Sequence, residues 1–202
     1  MDLAIVGNGP INPYLFDQIE KANFIIRFNS PPTAHDYAGM RTDRLVISNS
    51  SKQTQRLLSS DEYMDRQVFA GASEIFLPYH PDIIKQLMPK PNVFSWLKGR
   101  KADLTGLCEE VAKTKGKQVQ ILDALTYFEA CEQLDIMGDR RLSAFPSSGM
   151  LTIFHSLKHS QDAEMSIRLF GFGFAGWKRH DWSAEKRYAE FLISRGKIIR
   201  VT

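Results

Sequence analysis

Short apolar runs that end in glycine or asparagine alternate with segments of helical spacing through the first quarter of the chain. Residues 3–6 (LAIV) are continuously apolar and run into Gly7-Asn8-Gly9-Pro10, the pattern of a buried strand followed by a tight turn. Leu15, Ile19 and Ala22 then recur at helical spacing within residues 13–22, with Pro13 suited to a first turn. Phe24–Phe28 (FIIRF) and residues 44–48 (RLVIS) are two further β-rich runs. Strand, turn, helix and strand in that order make a βαβ unit, which predicts a parallel sheet covered on both faces.

The same reading continues more loosely downstream. It predicts strands at Gln67–Ala70, Glu74–Leu77, 119–122, Ser166–Phe170 and 198–201. Helices are expected at Pro81–Leu87, 101–115, 149–158 and 185–195. With no repeat, low-complexity stretch or linker, the expectation is one α/β domain over residues 1–202, a Rossmann-like, mostly parallel sheet with helices on both faces. Residues 51–140 carry no recognisable motif.

Composition narrows the class. Hydrophobic residues make up 43% and charged residues 24%, the balance of a folded globular chain. A net charge of +3 is too mild for a dedicated nucleic-acid binder, so no nucleic-acid partner is expected. It suits an anionic small molecule or peripheral contact with an anionic membrane equally well. Cys108 and Cys131 match no zinc or redox spacing and read as free thiols. The absence of a long apolar run and the strand-like N-terminus together predict a cytoplasmic protein.

Candidate chemistry sits in three turns and one histidine. Gly7-Asn8-Gly9 lies where backbone N–H groups of α/β proteins approach a phosphate, although a glycine pair there also has a purely steric reading. A dinucleotide fingerprint would need a third glycine and an acidic strand end. The chain has Asn12 and Asn29 at those places, which speaks against NAD while leaving Asn29 able to bind another nucleotide. Pro146-Ser147-Ser148-Gly149 precedes a helix and could cap it or hold an anion, and Gly171-Phe172-Gly173 closes an apolar strand. His180 could be a general base near neutral pH. Alternatively His180 and Asp181 could cap the last helix, with Glu185 a solvated first-turn acid. His155 and His159 share a helix face but have no evident third metal ligand, and no Asp-x-Asp pair exists, so no metal cofactor is expected.

Taken together, these motifs resemble glycosyltransferase family 29, the sialyltransferases. LAIVGNGPINPYLFDQIEKANFIIRFNSPPTAHDYAGMRTDRLVIS is similar to the family's large motif, including a Gly-x-Arg-Thr signature at Gly39, Arg41 and Thr42. FPSSGMLTIFHSL with IRLFGFG resembles the small motif, with Ser148 where threonine is usual, and HDWSAE resembles the very small motif, His-x4-Glu. The match covers residues 3–48 and 145–201. It implies a variant of the glycosyltransferase A fold and an inverting, metal-independent transfer from a CMP-sugar, with no cofactor besides that donor. The sugar implied first is sialic acid, with a Kdo-like acid as an alternative, and the acceptor is a glycan or glycolipid hydroxyl. By the resemblance Gly7, Asn8, Gly9 and Asn29 would contact the CMP moiety, and Ser147, Ser148 and Gly149 would line its cytidine and carboxylate side. Gly173 would approach the nucleotide, His180 would deprotonate the acceptor and Glu185 would support the motif. The chain departs from the family in lacking its linking cysteines and the motif before His180. Stabilisation of the leaving group would then fall to Lys178, Arg179 or a residue of the unmatched middle.

Two other functions fit the residues alone. One is a different nucleotide-dependent transfer, such as a Mg²⁺-requiring phosphoryl transfer. The other is a degenerate member that binds a nucleotide or a partner protein without turnover.

Overall fold

The computed structural model describes residues 1–31, 41–160 and 165–202. His35 and the Gly39 of the signature lie outside the described residues. The first half of the chain runs β1 (Asp2–Val6), α1 (Phe16–Glu20), β2 (Phe24–Phe28), β3 (Arg44–Val46), α2 (Lys52–Leu57), α3 (Asp61–Asp65), α4 (Gln67–Ala70) and β4 (Glu74–Leu77). The second half adds α5 (Pro81–Leu87), α6 (Val93–Leu97), α7 (Thr105–Thr114), β5 (Gln118–Ile121), α8 (Ala124–Gln133), α9 (Ser148–Ser160), β6 (Ser166–Phe170), α10 (Trp182–Ser194) and β7 (Ile199–Val201).

All seven strands form one parallel sheet in the order β5-β4-β3-β2-β1-β6-β7. The order reverses at β1, between β2 and β6, which makes this a doubly wound Rossmann-like sheet. Successive side chains of a strand point to opposite faces, and the cores follow that alternation. Leu3, Ile5, Ile26, Val46, Phe76, Ile167 and Leu169 face α5, α8, α9 and α10. Ala4, Val6, Ile25 and Phe170 pack against Ile19 of α1. Leu45, Ile47, Ile75 and Leu77 meet Tyr63 of α3, Phe69 of α4 and Cys108 of α7. Helices therefore cover both faces, and Cys108 and Cys131 are buried free thiols within this packing.

One predicted strand is corrected. Gln67–Ala70 is the helical turn α4, and it puts the adjacent residues Val68 and Phe69 into the same core. A strand would have sent them to opposite faces, so packing overrides the β preference of this short run. The signature's Arg41 serves the fold. Its guanidinium donates to the carbonyls of Glu20, Ala22 and Asn23 and pairs with Asp43, closing the corner between α1 and β2.

Two glycines separate by their surroundings. A Cβ on Gly7 would lie 2.6 Å from the Gly171 carbonyl oxygen, whereas one on Gly106, in the exposed first turn of α7, meets nothing within 4 Å. Gly7→Ala is expected to destabilise the protein by about 1–3 kcal/mol through overpacking. Gly106→Ala should stabilise it by about 0.5–1 kcal/mol through helix propensity. Urea unfolding of the two variants beside the parent checks both signs.

Candidate functional site

Ligands of open α/β sheets bind beyond the carboxyl ends of the strands, usually where the strand order reverses. Here the reversal itself is closed. The Gly7 N–H donates to Phe170 O at 2.8 Å and the Gly9 N–H to Gly171 O at 2.9 Å, so the ends of β1 and β6 stay joined beyond the ladder. Gly171, at φ 63, closes the contact from the other side. The two N–H groups thus have partners, and the glycine pair follows its steric reading. Asn8 remains exposed between them, with Nδ2 donating to Phe28 O at 3.2 Å.

The opening lies to one side, over β2, β3 and β4. A cleft of about 420 Å³ is bounded there by Asn29 after β2, Ser48 and Ser50 to Thr54 after β3, Tyr79 after β4, and Met88 and Arg100 from the α5–α7 connection. Ser148, Trp177 and His180 close it from the α9 and α10 side. Asn29 turns the chain in the left-handed region at φ 49, which asparagine tolerates better than most residues. Its N–H donates to Val46 O at 2.7 Å, its Oδ1 accepts from the Ser48 N–H at 2.9 Å and its carbonyl accepts from the Tyr63 hydroxyl at 2.6 Å. Its Nδ2 has no partner among the described residues and is available to a ligand. Among the described residues no carboxylate lines the cleft, whereas Lys52 and Arg100 do, and neither forms an ion pair there.

His180 is held by its ring nitrogen Nδ1, 2.8 Å from the Phe145 carbonyl oxygen. A carbonyl can only accept, so Nδ1 carries the proton and Nε2 is the basic nitrogen. Trp177 and Trp182 stand edge-on to the ring at 5.1 and 5.0 Å. Burial holds the imidazole pKa below its ordinary value, opposed by the bond to Phe145, so the ring is neutral at pH 7. The helix cap is Asp181, whose Oδ1 accepts from the Ala184 N–H at 2.9 Å and whose Oδ2 meets Arg140. His180 takes no part in the capping.

Glu185 is buried, not solvated. Its carboxylate accepts from both the Ser147 N–H and the Ser147 hydroxyl, each at 2.7 Å. Burial pushes its pKa up to about 7 against the lowering effect of those two bonds. Ser147 Oγ also accepts from the Met150 N–H at 3.1 Å, which caps α9. This corrects the expected ligand role of Ser147, because the side chain is buried and fully engaged inside the protein.

The structure brings Asn29, Ser148 and His180 to one cleft, with Asn8 beside Asn29 through Phe28. The remaining expected site residues lie elsewhere. Gly149 packs against Phe172, and Gly173 lines a separate depression of about 270 Å³ with Pro10, Arg200 and Thr202. Lys178 is exposed and outside the cleft lining, while Arg179 lies over the rings of Phe145 and Trp177. Lys52, Arg100 and the hydroxyl series Ser48, Ser50 and Ser51 were missed. The run Ser48-Asn49-Ser50-Ser51-Lys52 after an apolar strand was the available signal. His155 and His159 meet edge to face, with ring centroids 4.4 Å apart, at the amino edge of the sheet beside Met1, Leu3 and Phe24. Burial and the nearby Arg44 push the His155 pKa down to about 4. Among the described residues, no cluster of three or more His, Cys, Asp or Glu could hold a metal ion.

Comparison with known proteins gives a fold and one relative. A crystal structure of a mammalian sialyltransferase superposes over 99% of this chain and 68% of its own, with TM-score 0.58 and 18% identity. A second, of a mammalian sialyltransferase in complex with Gal-beta-1-3GalNAc-ortho-nitrophenol, gives TM-score 0.53 and 17% identity over the same shares. At such identities the likeness shows the fold, which is that of these transferases. In sequence, the chain is 24% identical over 206 aligned positions to the urease operon 23 kDa accessory protein of Rhizobium meliloti (strain 1021), covering 98% of this chain and 92% of that protein. No family model matches the chain.

The raised pKa of Glu185 links stability to pH. Between about pH 4.5 and 7 the folded state holds a proton that the unfolded chain has released, so stability falls as pH rises through this window. Glu185→Gln keeps a donor and an acceptor for Ser147 but does not titrate. Between about pH 5 and 8 it should therefore gain about 2.5 kcal/mol relative to the parent. Urea unfolding of both proteins at the two pH values measures that difference.

Proposed function

We propose that the protein transfers a sugar from a CMP-activated donor to a glycan or glycolipid hydroxyl, with inversion, and that His180 is the base. The observation that carries this reading is the held, neutral imidazole: Nδ1 is bound to Phe145 O, Nε2 is left basic, and the ring borders a cleft lined, among the described residues, by Lys52 and Arg100 and by no carboxylate. In the proposed step Nε2 takes the proton of the acceptor hydroxyl as its oxygen attacks the anomeric carbon. The bond from that carbon to the phosphate oxygen breaks, and CMP departs with the electron pair. Lys52 and Arg100 meet the phosphate charge, while Asn29 Nδ2 and Ser148 supply donors for the nucleotide. Lys178 and Arg179 have no part in this assignment. A sialic acid-like sugar is the first donor to test, because the sheet is that of the mammalian sialyltransferases and the chain carries residues resembling their motifs.

A second reading is favoured by the sequence relative, which is named as an accessory protein. In it the cleft binds a nucleotide or a partner chain and turns nothing over. The two readings separate on CMP-sugar consumption.

His180→Ala should lower transfer by about a hundredfold or more. CMP stabilisation in thermal denaturation should persist in the same variant. His180→Asn, which can still donate to Phe145 O but is no base, should lose transfer equally. Activity near that of the parent in either variant rejects the assignment. For the parent at donor concentrations far below saturation, which report the free enzyme, the rate should stay level around neutral pH and fall only on the acid side of the ordinary histidine value, because burial lowers the pKa of the base. A CMP shift with no consumption of any CMP-sugar would support the accessory reading.

A further inference from the structure

The connection between α5 and α7 leaves the cleft at Met88 and returns to it at Arg100, with α6 between them. This single turn exposes four large apolar side chains: Val93 at 68%, Phe94 at 78%, Trp96 at 65% and Leu97 at 68%. Ser95, the remaining residue of the turn, is half-buried. At 100° per residue the apolar positions fill the arc opposite Ser95, so the outward side of the turn is wholly apolar. Such a patch in water is unfavourable unless something covers it.

Two further features describe what covers it. Residues 83–102 contain Lys85, Lys90, Lys98, Arg100 and Lys101 and no acidic residue. Lys98 and Arg100 join Lys52 and Arg56 around a groove of about 470 Å³ at the foot of the turn. The backbone of the turn is also largely satisfied from within. Asn92 Oδ1 accepts from the Ser95 N–H, and the N–H groups of Trp96, Lys98, Gly99 and Arg100 donate to Asn92, Phe94, Trp96 and Ser95 carbonyls. A segment entering an apolar medium needs such internal pairing. Gln55 anchors the whole excursion to α2 through Gly99 O and the Lys101 N–H.

We infer that α6 docks the protein on an anionic lipid bilayer, with Phe94, Trp96 and their apolar neighbours entering the interface and the surrounding cations at the level of the phosphates. Tryptophan and basic side chains favour that arrangement at a bilayer surface. A second copy of the chain fits less well, because two-fold pairing would bring one cationic ring onto another. Apart from the Trp96 indole N–H, the outward side of the turn offers no hydrogen-bonding side chain to fix a register on a folded partner, and a bilayer interface needs none beyond that amphipathic ring. The inference goes beyond the proposed transfer and is tested without donor or acceptor, so either can fail alone.

The experiment is co-sedimentation of the full chain with phosphatidylcholine vesicles, with and without phosphatidylglycerol. Binding to the anionic vesicles is expected, weakening with added salt and falling about tenfold or more on the neutral ones. Phe94→Ser/Trp96→Ser should weaken binding about a hundredfold, while circular dichroism and the CMP-dependent thermal shift stay as in the parent. Lys90→Glu/Lys98→Glu should lower binding to the anionic vesicles with little change on the neutral ones. Failure of the parent to bind anionic vesicles, or equal binding by the aromatic variant, overturns the inference. Self-association that depends on Phe94 and Trp96 without vesicle binding would overturn it in favour of an interface between copies.

Discussion

The candidate site hangs on the hydrogen bonding of residues 145–147. Phe145 donates its N–H to Arg179 O and accepts at its carbonyl from His180, Pro146 O accepts from the Tyr79 hydroxyl, and Ser147 is gripped twice by Glu185. These contacts tie the start of α9, the start of α10 and the end of β4 into one unit. Each element carries a cleft residue: Ser148, His180 and Tyr79. Glu185 contributes without reaching the cleft. Its buried carboxylate has two donors, and a buried carboxylate that lost them would be strongly disfavoured. Its position therefore fixes that of Ser147, and through Ser147 the first turn of α9.

The lock between β1 and β6 has a second consequence. In a doubly wound sheet the reversal of strand order opens a crevice, because the connections on either side lead to opposite faces. The paired amides of Gly7 and Gly9 close that crevice and move the usable opening toward β2, β3 and β4. Residues after three different strands, and from the long connection after α5, then share one wall. That explains why cations from α2 and the α5–α7 connection, rather than those adjacent to His180, come to the cleft.

Much of the sheet is readable in the sequence, since β1, β2, β3, β4 and β6 are apolar runs that end in turns. Helices α9 and α10 are long enough to show a helical period. The short helices α2, α3 and α6 have five or six residues, too few for a period to emerge from background. Their starts are nevertheless written in Ser51, Ser60 and Asn92, each of which accepts a hydrogen bond from an amide in its own first turn. The ten-residue α8 was missed although Asp123 caps it in the same way. Among site residues, Asn29, Ser148 and His180 lie beside turns that a local pattern marks. Lys52 and Arg100 reach the cleft through the packing of distant loops, and no spacing announces them. Lys178 was expected to act because it is near His180 in sequence, but it is exposed and outside the cleft lining.

The electrostatics of the cleft bear on the order of events in the proposed reaction. Burial depresses the basicity of His180, and among the described residues no lining carboxylate offsets it. A donor phosphate beside Lys52 and Arg100 would bring negative charge near the ring and favour the imidazolium over the imidazole. The base would thus gain strength when the donor is present, and the charge it acquires on taking the acceptor proton would face the anion that leaves. A free acceptor hydroxyl would meet only a weak base. Coupling the base to the donor in this way would limit proton abstraction when only the acceptor is bound, and it needs no residue besides those that already line the cleft.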